Sequence, residues 1–189
     1  AFITAGRPSL DDASSAPIPG GWVAGWGTFD AQADRVRDFA VLESRRGGRV
    51  GPSETFPDPQ LGHLHLTATG GHPGWDTAQV VIRRWVAPVA GTVRIEGSLQ
   101  HANAGGDGVT ARVVSNRRGT LGTWTVHDSK AATKLDEMVV ERGETIDFVV
   151  ESGATSTNDT FTWAPNVSLT AERDGTVRTW NARRDFDTP

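Results

Sequence analysis

The segment Gly70–Asp76 concentrates residue types that could bind a ligand. Its glycines allow a tight turn, and Trp75 is flanked by the polar side chains of His72 and Asp76. Sugars bind to such groups, because their C–H faces stack on an indole ring while imidazole and carboxylate groups hydrogen-bond their hydroxyls. The segment therefore predicts a ligand-binding loop. The alternative is a rigid corner in which Trp75 packs over the edge of the fold.

A second group of polar residues lies in loops rich in glycine and asparagine. His101 and Asp107 flank one such loop, and Asp159 lies in another. Loops on a rigid scaffold are common positions for binding groups, so all three are candidate ligand-binding residues. Calcium prefers oxygen ligands, which Asp107, Asp159 and loop carbonyls could supply, although no Asp-x-Asp-x-Asp-Gly run is present. The sequence requires no cofactor and leaves a structural calcium ion open.

Two adjacent arginines form a third candidate. Arg83 and Arg84 lie on one predicted strand and must point to opposite faces, so at most one meets the interior or a cleft. A buried arginine needs a carboxylate partner, for which the candidates are Asp107, Asp147 and Asp159. Arg83 is thus either a ligand-binding residue or one half of a structural ion pair.

Patterns that would indicate catalysis are weak. His63 and His65 share one face of a strand, as a metal site would require, but the favoured interpretation is a solvated strand face. The run His127-Asp128-Ser129 is contiguous, whereas a catalytic triad is defined by geometry in space. No pair of carboxylates is singled out as a glycosidase pair would be. We expect no enzyme activity. A polysaccharide hydrolase or lyase is the third hypothesis, after a carbohydrate-binding role and a structural or adhesive role.

Composition excludes several classes of function. The chain has 189 residues, a formal charge of −4 and no cysteine, which excludes disulfides, thiolate metal sites and cysteine nucleophiles. The arginine pairs are scattered and form no basic stripe, which argues against binding to nucleic acid. No apolar stretch approaches the length of a membrane helix, so membrane insertion is not expected.

Hydrophobic residues alternate with polar ones along most of the chain, which predicts strands. The clearest cases are 92–100, 109–115, 145–151 and 161–169, where Pro165 predicts a bulge or an edge position. Further candidates are 22–29, 39–42, 63–68, 79–85, 121–127 and 135–140. About ten strands at this spacing predict an all-β fold, an antiparallel β-sandwich of jelly-roll type.

We expect the sandwich domain to span residues 21–172, after an irregular leader (1–20) and before a polar tail (173–189). Residues 31–39 are the one weakly helical segment, with Asp30 as its N-cap. Trp85, Trp124 and Trp163 lie in apolar strand patterns and are expected in the core.

Several motifs also carry a resemblance: Thr67–Gly74, Val81–Pro88, Gly106–Val114, Leu121–His127, Gly143–Val150 and Asn158–Pro165. Together they resemble the β-sandwich module of large exported planctomycete proteins, which also carry cytochrome-c-like domains, and the likeness spans Trp22 to Thr170. The chain lacks a Cys-x-x-Cys-His haem-attachment motif and so does not correspond to the cytochrome part. The resemblance implies a non-catalytic accessory module of an exported bacterial protein that binds a polysaccharide or glycan.

Two functional hypotheses therefore lead. In the first, the domain binds carbohydrate through the residues named above and is located outside the cell, at its surface or in the periplasm. In the second, it is a structural or adhesive domain that docks onto a partner domain or self-associates, with tryptophan and arginine side chains as interface anchors.

Overall fold

The computed structural model describes residues 21–186, and all regular secondary structure in this range is β-strand. The predicted leader, 1–20, lies outside the described residues. The strands are β1 (Gly21–Asp30), β2 (Arg35–Val41), β3 (Ser44–Arg46), β4 (Arg49–Gly51), β5 (His65–Thr67), β6 (Gly70–His72), β7 (Val80–Val86), β8 (Gly91–His101), β9 (Val109–Ser115), β10 (Gly119–Val126), β11 (Ser129–Val140), β12 (Thr145–Ser152), β13 (Phe161–Thr162), β14 (Asn166–Ala171) and β15 (Val177–Asn181). No helix able to span a membrane occurs among these residues.

The strands form two antiparallel sheets. The first has six strands in the order β10-β9-β12-β7-β1-β2. The second has nine, in the order β15-β14-β8-β13-β6-β5-β4-β3, with β11 paired to the other side of β8. The predicted fold class, an antiparallel all-β sandwich, is confirmed, with fifteen strands in residues 21–186 where about ten were expected.

The core lies between the two sheets, as alternation predicts. Strand β8 contributes Val93, Ile95 and Leu99, while β12 contributes Phe148 and Val150, and all five are almost fully buried. Because side chains on a strand alternate between faces, polar residues of β8 such as Arg94 and Glu96 lie on its outer side. The period of two thus determines which face of each central strand meets the core.

Aromatic rings fill the centre of this core. Trp163 contacts Phe148 edge-on at 5.4 Å between ring centroids and Trp124 at 6.4 Å. Trp85 is fully buried and meets Trp180 at 5.3 Å. Edge-to-face pairing at these separations is favourable beyond the area buried. The prediction that Trp85, Trp124 and Trp163 belong to the core is confirmed, with Trp124 half-buried.

The prediction of a weakly helical segment at residues 31–39 is wrong, because these residues form a turn and the start of β2. Asp30 caps a turn, its Oδ1 accepting the backbone N–H groups of Gln32 and Ala33, and the chain returns as β2. Val36 and Phe39 have helix-like spacing, but Asp38 between them has a φ of 53° within the strand. This irregularity lets both side chains pack on the outer face of the first sheet, in a small second cluster with Val80, Ile82, Val114 and Val149.

The second sheet continues beyond residue 172, the expected end of the sandwich domain. Strand β15, within the expected polar tail, pairs with β14 from Asn166↔Asn181 to Thr170↔Val177. Phe186 is also buried. Most residues of this segment are polar, but its two aromatic side chains, Trp180 and Phe186, pack against the core.

Pro165 interrupts the run from Phe161 to Leu169, in line with its inability to donate a ladder hydrogen bond. Strand β13 ends at Thr162 and β14 begins at Asn166. Even so, Phe161, Trp163, Val167 and Leu169 all face the core, as the sequence predicted.

Candidate functional site

Four connections meet at one end of the sandwich, which we call the loop end: 73–79, 102–108, 127–128 and 153–160. The strand registers bring them together. Val109 pairs with both Val126 and Ser152, and His101 pairs with both Ser129 and Phe161. Since Phe161 also pairs with Gly71, the loop that follows β6 lies beside the loop that precedes β13. Segments far apart in sequence thus form one continuous surface.

Trp75, in the first of these loops, is 55% exposed. Its indole ring lies against the α-carbon of Gly62, where any β-carbon would overlap Trp75 Cδ1 and Nε1. Gly62 has a φ of +64° and is held by two backbone hydrogen bonds with Asp58, of 2.7 and 2.9 Å. The Asp58 carboxylate in turn accepts the N–H groups of Gln60 and Leu61. The exposed indole therefore rests on a fixed backbone support.

Beside Trp75 is an open groove of about 670 Å³. Its lining combines aromatic, imidazole, hydroxyl and amide groups from four segments of chain: Phe56, His63, His65, His72, Trp75, Ser156, Thr157, Asn158 and Thr160. None of these nine side chains is an aspartate, glutamate, lysine or arginine. The groove thus offers two aromatic surfaces and a set of uncharged hydrogen-bonding groups.

Two histidines of the groove have defined tautomers. His65 and His72 pair across β5 and β6, and their Nδ1 atoms lie 2.7 Å from the carbonyl oxygens of His63 and Pro73 respectively. A carbonyl only accepts, so each Nδ1 carries the proton and each Nε2 keeps a lone pair. Burial lowers the pKa of both His65 and His72. Both rings are therefore neutral near pH 7 and present Nε2 as a hydrogen-bond acceptor.

Phe56 forms the second aromatic surface of the groove. Its ring is edge-on to His63 and His65, at 5.4 and 5.5 Å between centroids. The guanidinium carbon of Arg49 lies 3.7 Å from the Phe56 centroid. This cation–π contact fixes the ring while Phe56 stays 39% exposed.

The structure brings some of the predicted site residues together. His72 and Trp75 both line the groove, and Asp76 follows directly on the exposed turn. The Asp76 carboxylate accepts the N–H of Ala78 at 2.9 Å, which stabilises the turn that carries Trp75. The predicted ligand-binding loop thus has its indole exposed beside polar groups, with one part of the ring packed on Gly62.

Arg83 lies apart from this groove. It is 4% exposed on the inner face of β7, where its guanidinium donates to the carbonyl of Thr67 at 2.9 Å and lies 5.6 Å from the ring of Phe186. Burial lowers its pKa to about 10. Asp147, one of the carboxylates expected for Arg83, pairs with the adjacent arginine. Arg84, on the outer face, donates two hydrogen bonds to Asp147, of 2.7 and 2.8 Å. Among residues 21–186, a backbone carbonyl takes the place of the acidic partner predicted for Arg83.

His101 is fully buried at the loop end. Its Nε2 lies 2.8 Å from the carbonyl of Asn158, and its Nδ1 lies 3.3 Å from the backbone nitrogen of Asp128. Because an amide N–H donates and a carbonyl accepts, His101 is a neutral imidazole protonated at Nε2. Both ring nitrogens are engaged by backbone, so His101 joins the loops together and offers no free nitrogen to a ligand.

Asp107 and Asp159 lie on two adjoining loops and have opposite environments. Asp107 is exposed, and its carboxylate accepts the N–H groups of Ala154 and Thr155 and the hydroxyl of Thr155. Asp159 is fully buried, and neither of its carboxylate oxygens has a hydrogen-bond partner in the described part of the chain. Burial, reinforced by the charge of Asp107, raises the pKa of Asp159 to about 6.

Sequence reasoning missed several residues of the groove. The alternation His63-x-His65 did indicate a shared face, but it did not show that His72 lies opposite His65 on the next strand. Phe56 carries no sequence signal, and the sequence singles out the loop 156–160 for Asp159 and not as a wall of this groove, because β-pairing between distant segments brings that loop to Trp75. No set of three His, Cys, Asp or Glu side chains in residues 21–186 is arranged to hold a metal ion.

Comparison with solved structures finds distant likenesses. The chain is similar to the GITRL of pika, with a TM-score of 0.34 and 11% identity over 81% of this chain and 98% of that chain. It is similar to the PA14 sugar-binding domain from an RTX adhesin, with a TM-score of 0.38 and 7% identity over 89% and 97% of the two chains. It is also similar to the PA14 domain of the MpAFP antifreeze protein, with a TM-score of 0.34 and 13% identity over 89% and 92%. No family model and no curated protein matches the sequence, so the planctomycete resemblance stays a prediction.

Proposed function

We propose that this domain binds carbohydrate in the groove beside Trp75, without catalysing a reaction there. The observation that carries the proposal is the exposed indole of Trp75, fixed on Gly62 at the mouth of a groove lined by uncharged polar groups. A rigid, solvent-exposed aromatic ring stacks on the C–H face of a pyranose at little entropic cost. The ring of Trp75 supplies such a surface, and Phe56, with Arg49 over one face of its ring, adds partly exposed aromatic area to the same groove.

The polar lining supports a neutral sugar as the ligand. Ser156, Thr157 and Thr160 supply hydroxyl groups and Asn158 an amide, all able to donate and accept hydrogen bonds as sugar hydroxyls do. A phosphate or nucleic-acid ligand would instead favour a set of positive side chains. The groove is also open to solvent, which suits a chain that continues beyond the bound residues.

The same lining supports a binding role over hydrolysis. Glycosidases generally place two carboxylates on either side of the scissile bond, and none of the nine lining side chains is a carboxylate. We extend the proposal to an accessory module of an exported bacterial protein, which rests on the sequence resemblance described above.

The test is a panel of neutral and acidic polysaccharides, followed by titration calorimetry on those retained. We expect saturable binding of a neutral glycan with a Kd in the micromolar range or weaker, and Trp75→Ala should weaken it about tenfold or more. Val139→Ala, at a valine that is 64% exposed on β11, is the matched control and should bind like the wild type. Absence of saturable binding across the panel, or binding indifferent to Trp75→Ala, would refute the proposal.

One observation favours the second hypothesis, self-association or docking. Within residues 21–186, strand β15 is the edge strand of the second sheet, and its Val177 is 62% exposed. An unpaired strand edge with an apolar side chain can pair with another chain. Sedimentation equilibrium over a hundredfold concentration range tests this: a constant monomer mass rules out self-association, and Val177→Lys should abolish any dimer.

A further inference from the structure

Asp159 is a buried carboxylate without a partner. It is completely inaccessible to solvent, and both its oxygens lack a hydrogen-bond donor in residues 21–186. An ionised carboxylate in such a position is strongly unfavourable unless a cation or several donors compensate it. The hydroxyl of Ser152, the last residue of β12 before the same loop, is likewise buried without a partner. Ser152 and Asp159, near the two ends of the loop 153–160, thus carry buried polar groups without hydrogen-bond partners among residues 21–186.

His101, the imidazole beside Asp159, makes no hydrogen bond to the Asp159 carboxylate. The His101 Nε2 is 4.0 Å from Asp159 Oδ1 and donates instead to the carbonyl of Asn158. The His101 Nδ1 accepts the N–H of Asp128, which makes the ring neutral. The other ionisable group that acts on Asp159 is Asp107, whose negative charge adds repulsion.

The two loops that carry Asp159 and Asp107 are packed against each other and carry further oxygen donors. Asp107 is held in a fixed orientation by Ala154 and Thr155, and the carbonyl of Thr157 is packed against Gly106 so closely that a β-carbon there would overlap it. Carboxylates and backbone carbonyls are hard oxygen donors, which suit calcium. Zinc and related metals favour nitrogen and sulfur ligands, and here the imidazole nitrogens of His101 are engaged and the chain has no cysteine.

We propose that Asp159 and Asp107 bind a buried calcium ion that fastens the loop 153–160 to the loop 102–108. The burial of Asp159 makes the role of this ion structural, because a ligand in the groove cannot reach that carboxylate. Residues 156–160 also form one wall of the groove, so the ion would hold that wall in place. Only the effect of the ion on sugar binding rests on the proposed function.

Thermal unfolding tests the proposal in metal-free protein at pH 7.5, compared in EDTA, in millimolar CaCl₂ and in millimolar MgCl₂. We expect calcium at about a hundred times its Kd to raise the Tm by roughly 5–10 °C, and magnesium at the same concentration to raise it much less. Asp159→Asn should lose the calcium-induced rise. Asp76→Asn, at an exposed aspartate that serves only its own turn, should retain it.

Three results would overturn the calcium assignment: an unchanged Tm on adding calcium to protein verified as metal-free, an equal response to magnesium, or a full calcium response in Asp159→Asn. Should Asp159→Asn fail to fold, Asp107→Asn provides the same comparison. The readout involves no sugar, so failure here leaves the carbohydrate proposal intact. Conversely, a domain that calcium stabilises but that binds no glycan would refute only the carbohydrate proposal.

Discussion

The indole of Trp75 and the α-carbon of Gly62 are in direct contact, so the most exposed tryptophan of the domain is positioned by a residue without a side chain. Gly62 satisfies two requirements at once, because its φ of +64° disfavours other residues and the space where a β-carbon would lie is filled by the ring. A surface aromatic ring supported in this way keeps its orientation without being buried.

Gly62→Ala should therefore displace Trp75 as well as strain the backbone. All seven tryptophans lie in the described residues and only Trp75 is exposed, so acrylamide quenching of fluorescence reports mainly on this ring. Gly175→Ala is the matched control, because Gly175 has a φ of +68° with nothing near the position of an added β-carbon. We expect each substitution to cost about 1–2 kcal/mol in stability, but only Gly62→Ala to increase quenching. Equal quenching in both variants would show that Gly62 does not position the indole.

Arg84 should contribute far more to stability than a surface arginine. Its bidentate pair with Asp147, whose side chain is 3% exposed, is covered by Phe39, with the guanidinium carbon 3.7 Å from the ring centroid. Arg84→Ala would leave a buried carboxylate unpaired, and we expect a loss of about 3–5 kcal/mol in the free energy of unfolding by urea. Arg94→Ala breaks an exposed pair with Glu137 and should cost less than about 1 kcal/mol. Similar losses for the two variants would contradict this account.

The sequence predicts the core well, because a period of two determines the face of each residue once a strand is recognised. Val93, Ile95 and Leu99 lie inside, as alternation requires. The same rule fails at Val36 and Phe39, where the irregular backbone at Asp38 imitates helical spacing. Alternation carries no information about such irregularities, since they depend on what the strand packs against.

The groove is predicted only in part, for a different reason. His72 and Trp75 lie in one conspicuous glycine-rich segment, whereas Phe56 and Asn158 reach the same groove through pairing between distant strands. Which distant strands pair is a property of the whole sheet, and patterns within one strand do not encode it. The same holds for Arg83, where only the fold reveals that a backbone carbonyl receives its guanidinium.

Thr133 should be important to the aromatic core although its side chain is small. Its hydroxyl accepts the Nε1–H of Trp163 at 2.9 Å, with both residues buried. Thr133→Val keeps the shape but leaves the indole N–H without a partner, which should cost about 1–3 kcal/mol. Thr170→Val, on the exposed side of β14, is the control and should change stability by no more than about 0.5 kcal/mol. Urea unfolding monitored by near-ultraviolet circular dichroism distinguishes the two outcomes.

Asp159→Asn should stabilise the metal-free domain in a manner that depends on pH. Burial raises the pKa of Asp159 to about 6 from 3.8, so the folded state binds this proton more tightly than the unfolded state. Stability must then decrease as the pH rises from about 4 to about 6, and the penalty stays in full above that range. The neutral amide of asparagine carries no such penalty.

In EDTA, the urea midpoint of Asp159→Asn should therefore exceed that of the wild type at pH 8, and the difference should shrink or vanish at pH 4.5. Asp38→Asn serves as the control, since Asp38 is exposed and its φ of 53° is one that asparagine tolerates, so its midpoint should follow the wild type at both pH values. A difference between Asp159→Asn and the wild type that is the same at pH 4.5 and pH 8 would mean that the buried carboxylate does not ionise in this range. In that case Asp159 would be protonated and neutral in the metal-free protein, and would not be an ionised, unpaired carboxylate.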